Sequence, residues 1–510
     1  MRSFSILILI GFLITISSCR SDFDFETSTG GLEFSRDTVY LDTVFTDIGS
    51  STYTLKVYNR SDKDISIPTI QLGRGLDSKY RMTIDGLQGN EGKIFNNVEM
   101  LAKDSLYIFI ETTANIADAN PSDFLYTDQI LFNPGSNLQT VELVTLIQDA
   151  VFLYPQELDE QGTYESIMIG DDSVYGFVLD EADPINGNEY EFTAEKPYVI
   201  YGFAAVASGK QLNIAPGARI HFHAESGIIV GSGGSINAVG AHSDDTDLME
   251  NEIIFEGDRL EPIFSDVPGQ WFGIWLSSGS TGNFQNVTIK NAMVGMLVEN
   301  NAATVTIKDT QIYDCSNFGI LGRNGTINGE NVVINSAGVA TFAGTLGGSY
   351  DFKHCTFNNN WSSSQQFAVV LENFVQTDLG PEIFPLTHAS FSNCIIWGSN
   401  QVELLLNRAQ NSTAANWPAT PIFHKCQIKF NNTQLEALDV YGFINDASEI
   451  LKNGNPDFLN VNNNQLQIGQ ESDAIGFGDP DISAMVPFDL LDTPRTSSDL
   501  GAYKAIVFED

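Results

Sequence analysis

The stretch Val287-Thr-Ile-Lys-Asn291 returns 23 residues later as Thr310-Gln-Ile-Tyr-Asp314. It returns again in Val332-Val-Ile334, Cys355-Thr-Phe357, Cys394-Ile-Ile396 and Cys426-Gln-Ile428. The last residues of these triplets lie 23, 22, 23, 39 and 32 positions apart. A period of 22 or 23 is about one coil of a parallel β-solenoid, which stacks one supersecondary unit on the next. In an extended triplet the outer residues share one side and the middle residue takes the other. Ile289, Ile312, Ile334, Phe357, Ile396 and Ile428 are therefore expected as one internal stack. Val287, Thr310, Val332, Cys355, Cys394 and Cys426 are expected as its neighbour. Asn291, Asp314 and Asn359 follow as polar turn residues, types that tolerate left-handed geometry.

The texture around the repeat agrees. From Lys196 onward, three- to five-residue strand runs such as Ile228-Ile-Val, Ile253-Ile-Phe and Ile274-Trp-Leu alternate with Gly, Asn, Asp and Ser. The N-terminal part reads differently. Thr38–Phe45, Thr52–Tyr58, Ser105–Glu111 and Gln139–Leu146 alternate apolar and polar, and about seven such runs in roughly 120 residues predict an antiparallel β-sandwich. The expected organisation is a leader over 1–18, a flexible tether over 19–31, the sandwich over 32–150 and an acidic connector with one hairpin over 151–195. A parallel β-helix then covers 196–440, with its last coils and cap over 441–510. The fold class is all-β.

The chain has 510 residues, 65 Asp plus Glu and 25 Lys plus Arg, a formal charge of −40. Such a surface repels phosphate backbones and acidic lipid, so nucleic acid is excluded as a partner. Arg2 and the apolar run Phe4–Ile16 read as a signal peptide, too short to span a bilayer.

Several stretches resemble known families. Leu212-Asn-Ile-Ala-Pro-Gly, Ile236-Asn-Ala-Val-Gly, Phe255-Glu-Gly-Asp-Arg and Gln270-Trp-Phe-Gly-Ile resemble the right-handed parallel β-helix repeat lipoproteins of Bacteroidota. Pro456-Asp-Phe, Ser472-Asp-Ala-Ile-Gly, Arg495 and Asp499-Leu-Gly-Ala-Tyr503 resemble the closing segment of secreted β-helix proteins. Thr52–Asn59, Tyr80–Gly86 and Asp128–Asn133 are similar to Ig-like modules of bacterial surface and ciliary proteins. Ile16-Ser-Ser-Cys19 resembles a lipobox, which implies acylation of Cys19 by palmitate-like chains. Ser21, Asp22, Phe23, Asp24, Phe25 and Glu26 resemble the acidic signal that sends Bacteroidota lipoproteins to the outer leaflet. Asp37-Thr-Val, Asp42-Thr-Val, Asp104-Ser-Leu and Asp172-Ser-Val resemble the O-glycosylation signal of the same bacteria. Together these imply a lipid-anchored protein of the outer membrane that faces the outside.

Three functions stay open. The first is a non-enzymatic surface lipoprotein whose helix serves adhesion, glycan binding or scaffolding. The second is a lyase or glycosidase on carbohydrate. The third is an accessory subunit of an outer-membrane β-barrel complex. Lyases of this architecture set a base beside a cation, with calcium bridging the uronate, and the candidate bases are Lys290, Lys308, Arg323 and Lys353. No catalytic residue and no metal ligand set is assigned; calcium is the one cofactor that this chemistry admits. His221-Phe-His223 puts two imidazoles on one strand face, with His242-Ser-Asp-Asp nearby, which reads either as a cation site or as solvated surface. His354 is expected to point outward. Cys315, Cys355, Cys394 and Cys426 read as buried thiols, with a disulfide as the alternative. Two longer coils, Trp361–His388 and Ser399–His424, carry Trp361, Phe367, Phe374, Phe384 and Trp417, which form either an interaction patch or a locally packed flap.

Overall fold

The computed structural model describes residues 24–508, apart from Ser136, Glu160, Asp171, Asp247, Ala302 and 419–421. The leader, Cys19, Ser21, Asp22 and Phe23 lie outside the described residues. The chain separates into two compact units, Met1–Asp149 and Ala150–Asp510.

The first unit is a two-sheet sandwich. One sheet holds Tyr53–Tyr58, Ser105–Thr112 and Tyr80–Ile84 with the short strand Glu33–Phe34. The other is built on Ile65–Leu72, Leu125–Phe132, Gln139–Gln148 and Thr38–Phe45, with Ile94–Met100 along Ile65–Leu72. Alternation accounts for the strands: Leu106, Ile108 and Ile110 turn inward from Ser105–Thr112 while Tyr107 and Phe109 face solvent. Between the sheets, the Tyr80 hydroxyl donates to the Tyr126 carbonyl at 2.8 Å and lies 2.9 Å from Thr145 Oγ1. The expected tether is shorter than its sequence suggested. Glu26–Thr27 is an edge strand parallel to Ile65–Ser66, and Lys63 pairs with Glu26 at 2.6 Å. Polar, Gly-rich composition concealed a strand too short to show alternation.

The second unit is all-β and winds as a parallel β-helix with three faces. The first face runs through Gln211–Ile214, Ser235–Val239 and the front halves of Thr281–Lys290, Val305–Cys315 and Thr326–Ala337. It continues through Gly348–Lys353, Leu386–Ser392 and Ile422–His424. The second face runs through Tyr198–Ile200, Arg219–Phe222, Ile253–Gly257, the back halves of the same three long strands, Thr356–Asn359, Ile395–Gly398 and Cys426–Ile428. The third is a ten-stranded sheet containing Phe203–Val206, Gly227–Val230, Trp271–Leu276, Ala292–Glu299, Phe318–Arg323, Ala340–Thr345, Phe367–Glu372 and Leu404–Asn407. The first coil opens within the expected connector: Val151–Leu153 pairs with Tyr198–Ile200, and Glu191–Phe192 pairs with Asn213–Ile214. Its hairpin joins Ser166–Ile169 to Asp172–Val178.

The repeat register is the one the triplets dictate. Ile289, Ile312, Ile334, Phe357, Ile396 and Ile428 pair rung to rung, and all are fully buried. Burying one such side chain contributes about 2 kcal/mol, so every rung of the stack adds to the stability of the unit. Asn291 and Asp314 take φ of 63° and 53° at the corner between the second and third faces. Asn359 does not. It is buried, and its amide bridges the backbone of Ala337 and Phe367. A second corner, between the first and second faces, stacks Asn286, Asp309, Asn331, His354, Asn393 and Lys425, all with φ between 46° and 53°. Asn and Asp suit it because their short side chains stabilise left-handed geometry locally.

Ile450–Lys452 adds one rung beyond Cys426–Ile428. The chain from about residue 453 then lies along the outside of the second face as a strap. It covers outward residues of the triplets, so Val333, Thr356, Ile395 and Gln427 are buried although they point away from the helix interior. Val333 packs with Leu466, Leu490 and Tyr503, and Ile395 with Ile468, Ala474 and Leu500.

Candidate functional site

The strap explains the closing motif. Asp457 and Asp473 accept the backbone N–H groups of Glu471 and Asn455, and Asp499 accepts those of Gly476 and Ala505. Arg495 donates to Asn331 Oδ1 and to the carbonyls of Gly501 and Ala502. Leu500, Ala502 and Tyr503 are the buried teeth. The acids and Arg495 of the motif therefore fix turns, and Leu500, Ala502 and Tyr503 dock the strap.

His354 does leave the helix interior, but the strap buries it completely. Its ring nitrogens lie 3.3 Å from the Gly501 carbonyl and 3.1 Å from Ser483 Oγ. Burial, reinforced by the nearby Arg495 charge, pushes the imidazole down to about 3. His424 is the opposite case. It lies outside, 2.6 Å from Glu449 and 2.7 Å from Asp479. Burial lowers its pKa, but the hydrogen bonds that its ring donates to Asp479 and Glu449 outweigh that and hold it raised.

The candidate bases stand against carboxylates, which spacing along the chain did not reveal. Lys290 pairs with Glu256 at 2.7 Å, Lys308 with Glu330 at 2.7 Å and Arg323 with Glu299 at 2.9 Å, each across neighbouring rungs; Lys353 pairs with Asp351 at 2.6 Å. The histidines are not gathered. His221 is buried beside Glu256, His223 pairs with Asp258 at 2.7 Å, and His242 lines a cleft with Lys308 and Glu330. Among the described residues no group of three His, Cys, Asp or Glu side chains could hold a metal ion. Cys315, Cys355, Cys394 and Cys426 are free and buried. Cys355 N–H donates to Cys394 Sγ at 3.4 Å, and burial pushes the Cys315 thiol up to about 12.

A cleft of about 320 Å³ opens between the strap and the second face, lined by Glu252, Asp266, Asp314, Lys290, Gln311, Tyr313 and Tyr503 among others. Burial raises the carboxyls of Glu252 and Asp314, the latter to about 6.

The two long coils pack locally. Each carries its own third-face strand, and their excess residues, including the hairpin Phe374–Thr377 with Gly380–Ile383, meet at one corner. There Asn373 donates to Ser412 Oγ and the Asn416 carbonyl. Trp417 is 4% exposed and belongs to the main core, so it cannot serve a surface patch. Trp361, Phe367, Phe374 and Phe384 are half-buried. Asp24, Phe25 and Glu26 are the described part of the expected export signal, and Glu26 is tied to Lys63.

An apolar column lies instead on the outward side of the third face: Val178 is exposed, Ala205, Trp275, Leu321, Val370 and Leu405 are half-buried, and Ile229, Leu297 and Ala343 are buried. It runs Val178, Ala205, Ile229, Trp275, Leu297, Leu321, Ala343, Val370 and Leu405 through nine paired rungs without a polar interruption. A polar edge of Glu299, Arg323, Thr345, Glu372 and Asn407 borders it. Individually these residues fall in short runs that read as ordinary buried strands. Only the register aligns them.

No protein-family model matches the chain, and no curated protein does. Two solved structures overlap part of it: the E. coli chaperone DraB, at 14% identity and TM-score 0.16, and the ASH/PapD-like domain 7 of human CEP192, at 12% identity and TM-score 0.15. They cover 24% and 26% of this chain, which in turn spans 57% of the chaperone and 96% of the CEP192 domain.

Proposed function

We propose that this chain is a non-enzymatic outer-membrane lipoprotein, acylated at Cys19 and facing outward, whose parallel β-helix is a binding scaffold. The observation that carries this reading is the nine-rung apolar column of the third face with its polar edge. Parallel sheets ordinarily bury both sides, and an apolar strip with a polar rim is the anatomy of an interface. The resemblance to Bacteroidota β-helix lipoproteins supports the anchor and the outward orientation. The ion pairs at Lys290, Lys308, Arg323 and Lys353 favour a scaffold over a lyase, because each candidate base is already engaged by a carboxylate of the chain itself.

The test uses a C-terminally tagged full chain purified from its native membrane. A β-barrel or other membrane partner that co-purifies with wild type and is lost with Leu321→Asp and Leu405→Asp supports the scaffold. Recovery of the protein alone removes the accessory-subunit version. Cys19→Ser should release the chain from the membrane. Ala at Asp22, Asp24 and Glu26 should leave it anchored but shielded from external protease.

A second reading, a glycoside hydrolase, draws on the cleft that Asp266 lines with Glu252 and Asp314, the two carboxyls whose pKa burial raises and which could act as acids. Hydrolysis of a polysaccharide panel by wild type, abolished in Asp314→Asn and Glu252→Gln, would replace the scaffold reading.

A further inference from the structure

The motif Gln270-Trp-Phe-Gly-Ile274 builds a second feature at one end of the third face, next to the column that contains Trp275. A register shift falls between Gly273 and Ile274, where Gly273 takes φ 137°. A Cβ at Gly273 would stand 1.7 Å from the Val294 carbonyl oxygen, so only glycine fits. Trp271 points inward and stacks on Phe222 at 4.0 Å, while Phe272 and Trp275 both turn out. Breaks of this kind re-aim side chains beside functional sites.

Two more rings join them at the same end of the third face. Tyr175 lies against Gly202, where a Cβ would meet its Cδ1 at 2.8 Å. Phe203 lies over Gly227, where a Cβ would meet its Cε1 at 3.1 Å. Glycine at both positions lets each ring lie down on the sheet and show a face to solvent; Tyr175 remains 49% exposed. Phe203 meets Phe272 edge to face at 5.3 Å, and Phe272 and Trp275 are 6.1 Å apart. Beside the rings stands a fixed polar group. Glu299 accepts from the Trp275 indole N–H at 2.8 Å and from Arg323 at 2.9 Å, which holds its carboxylate in place and cancels its charge.

We infer that Tyr175, Phe203, Phe272 and Trp275 form a stacking platform for an uncharged extended glycan, with Glu299 and Arg323 hydrogen-bonding its hydroxyls. Flat amphipathic rings match the apolar faces of sugar rings, and an anchored acceptor beside them matches hydroxyls. The platform covers about three rungs, roughly 14 Å along the helix, enough for a few sugar units. Charge selects the ligand. The local pair is neutral, and the −40 of the chain repels polyanionic glycans.

This rests on the surface-scaffold reading and shares Trp275, Glu299 and Arg323 with its column and edge, but Tyr175, Phe203 and Phe272 lie outside them, so Phe203→Ala and Leu405→Asp let the two fail separately. The test is affinity electrophoresis of the chain lacking its leader in gels of galactomannan, mixed-linkage β-glucan, arabinoxylan and α-mannan, with polygalacturonate as the charged comparison. We expect retardation in at least one neutral gel, at least tenfold weaker in Trp275→Ala and Phe203→Ala, and unchanged in Leu405→Asp. Thermal unfolding checks that each variant is folded, and Phe203→Tyr, which keeps the ring, should retain binding. No retardation in any neutral gel, equal retardation of all variants, or retardation only by polygalacturonate overturns the proposal. So does loss of a co-purifying protein in Trp275→Ala without any glycan binding.

Discussion

His354 should make the strap acid-labile. Its imidazole is held neutral beneath the strap with a pKa pushed down to about 3, whereas in the open chain it returns to its ordinary 6.5. Below pH 6.5 the unfolded or undocked state binds a proton that the docked state refuses. Stability is therefore complete above 6.5 and is lost as the pH falls toward 3. The full shift corresponds to about 5 kcal/mol, and the loss by pH 4 to about 3 kcal/mol. The isolating variant is His354→Asn, because the same corner position carries Asn331 and Asn393 with nearly the same φ. At pH 7.5 it should cost about 1 to 2 kcal/mol, from lost contacts with the Gly501 carbonyl and Ser483. Between pH 7.5 and 4 wild type should lose about 3 kcal/mol more than the variant, so that the order of their stabilities reverses. Carboxylates elsewhere titrate in both proteins and cancel in the difference. The assay is hydrogen exchange of residues 453–508 as a function of pH, beside urea unfolding of the whole chain. Parallel pH profiles for the two proteins would refute the claim that His354 is buried uncharged.

Three further outcomes follow from the same packing. Leu500→Ala removes a fully buried tooth of the strap and should cost about 3 kcal/mol, a rise in local opening of roughly a hundredfold. Exchange should quicken over 453–508 and at Val333 and Ile395 but not in the sandwich; a uniform increase would contradict separate docking of the strap. His424, with its pKa raised by Glu449 and Asp479, contributes stability that is full below 6.5 and fades as the pH rises through its folded value. Limited proteolysis of the strap should therefore increase at alkaline pH in wild type, and His424→Gln should flatten that profile. Glu403 is fully buried, and burial pushes its carboxyl up to about 8, so it stays protonated at pH 7 while the unfolded chain ionises. Glu403→Gln should raise stability at pH 7 by as much as about 3 kcal/mol and leave it unchanged below pH 4, as read by urea unfolding.

Much of the architecture was readable because solenoid repeats are nearly one-dimensional. Each coil meets only its neighbours, so the period of Ile289, Ile312 and Ile334 already states which residues touch. The αL corners at Asn291 and Asp314 were readable for the same local reason. What lies across the faces was not. Val333 and Ile395 looked like outward residues, and they are; the strap that buries them comes from more than a hundred and about seventy residues further along, respectively. Trp417 looked like a candidate for a surface patch because its loop is polar and long, yet its indole completes the core. Lys290 showed no carboxylate near it in sequence because Glu256 stands one rung and a whole loop away.

The amino-acid sequence by itself determined the winding: period, inward columns and corner chemistry follow from alternation and from left-handed geometry that Asn and Asp accept. Tertiary structure alone decided what each face became. One is clasped by the C-terminal strap, one is polar, and one aligns nine apolar residues that no local pattern marks. Rung-to-rung register, which depends on loop lengths and on breaks such as Gly273, brings those residues together only after the coils have closed.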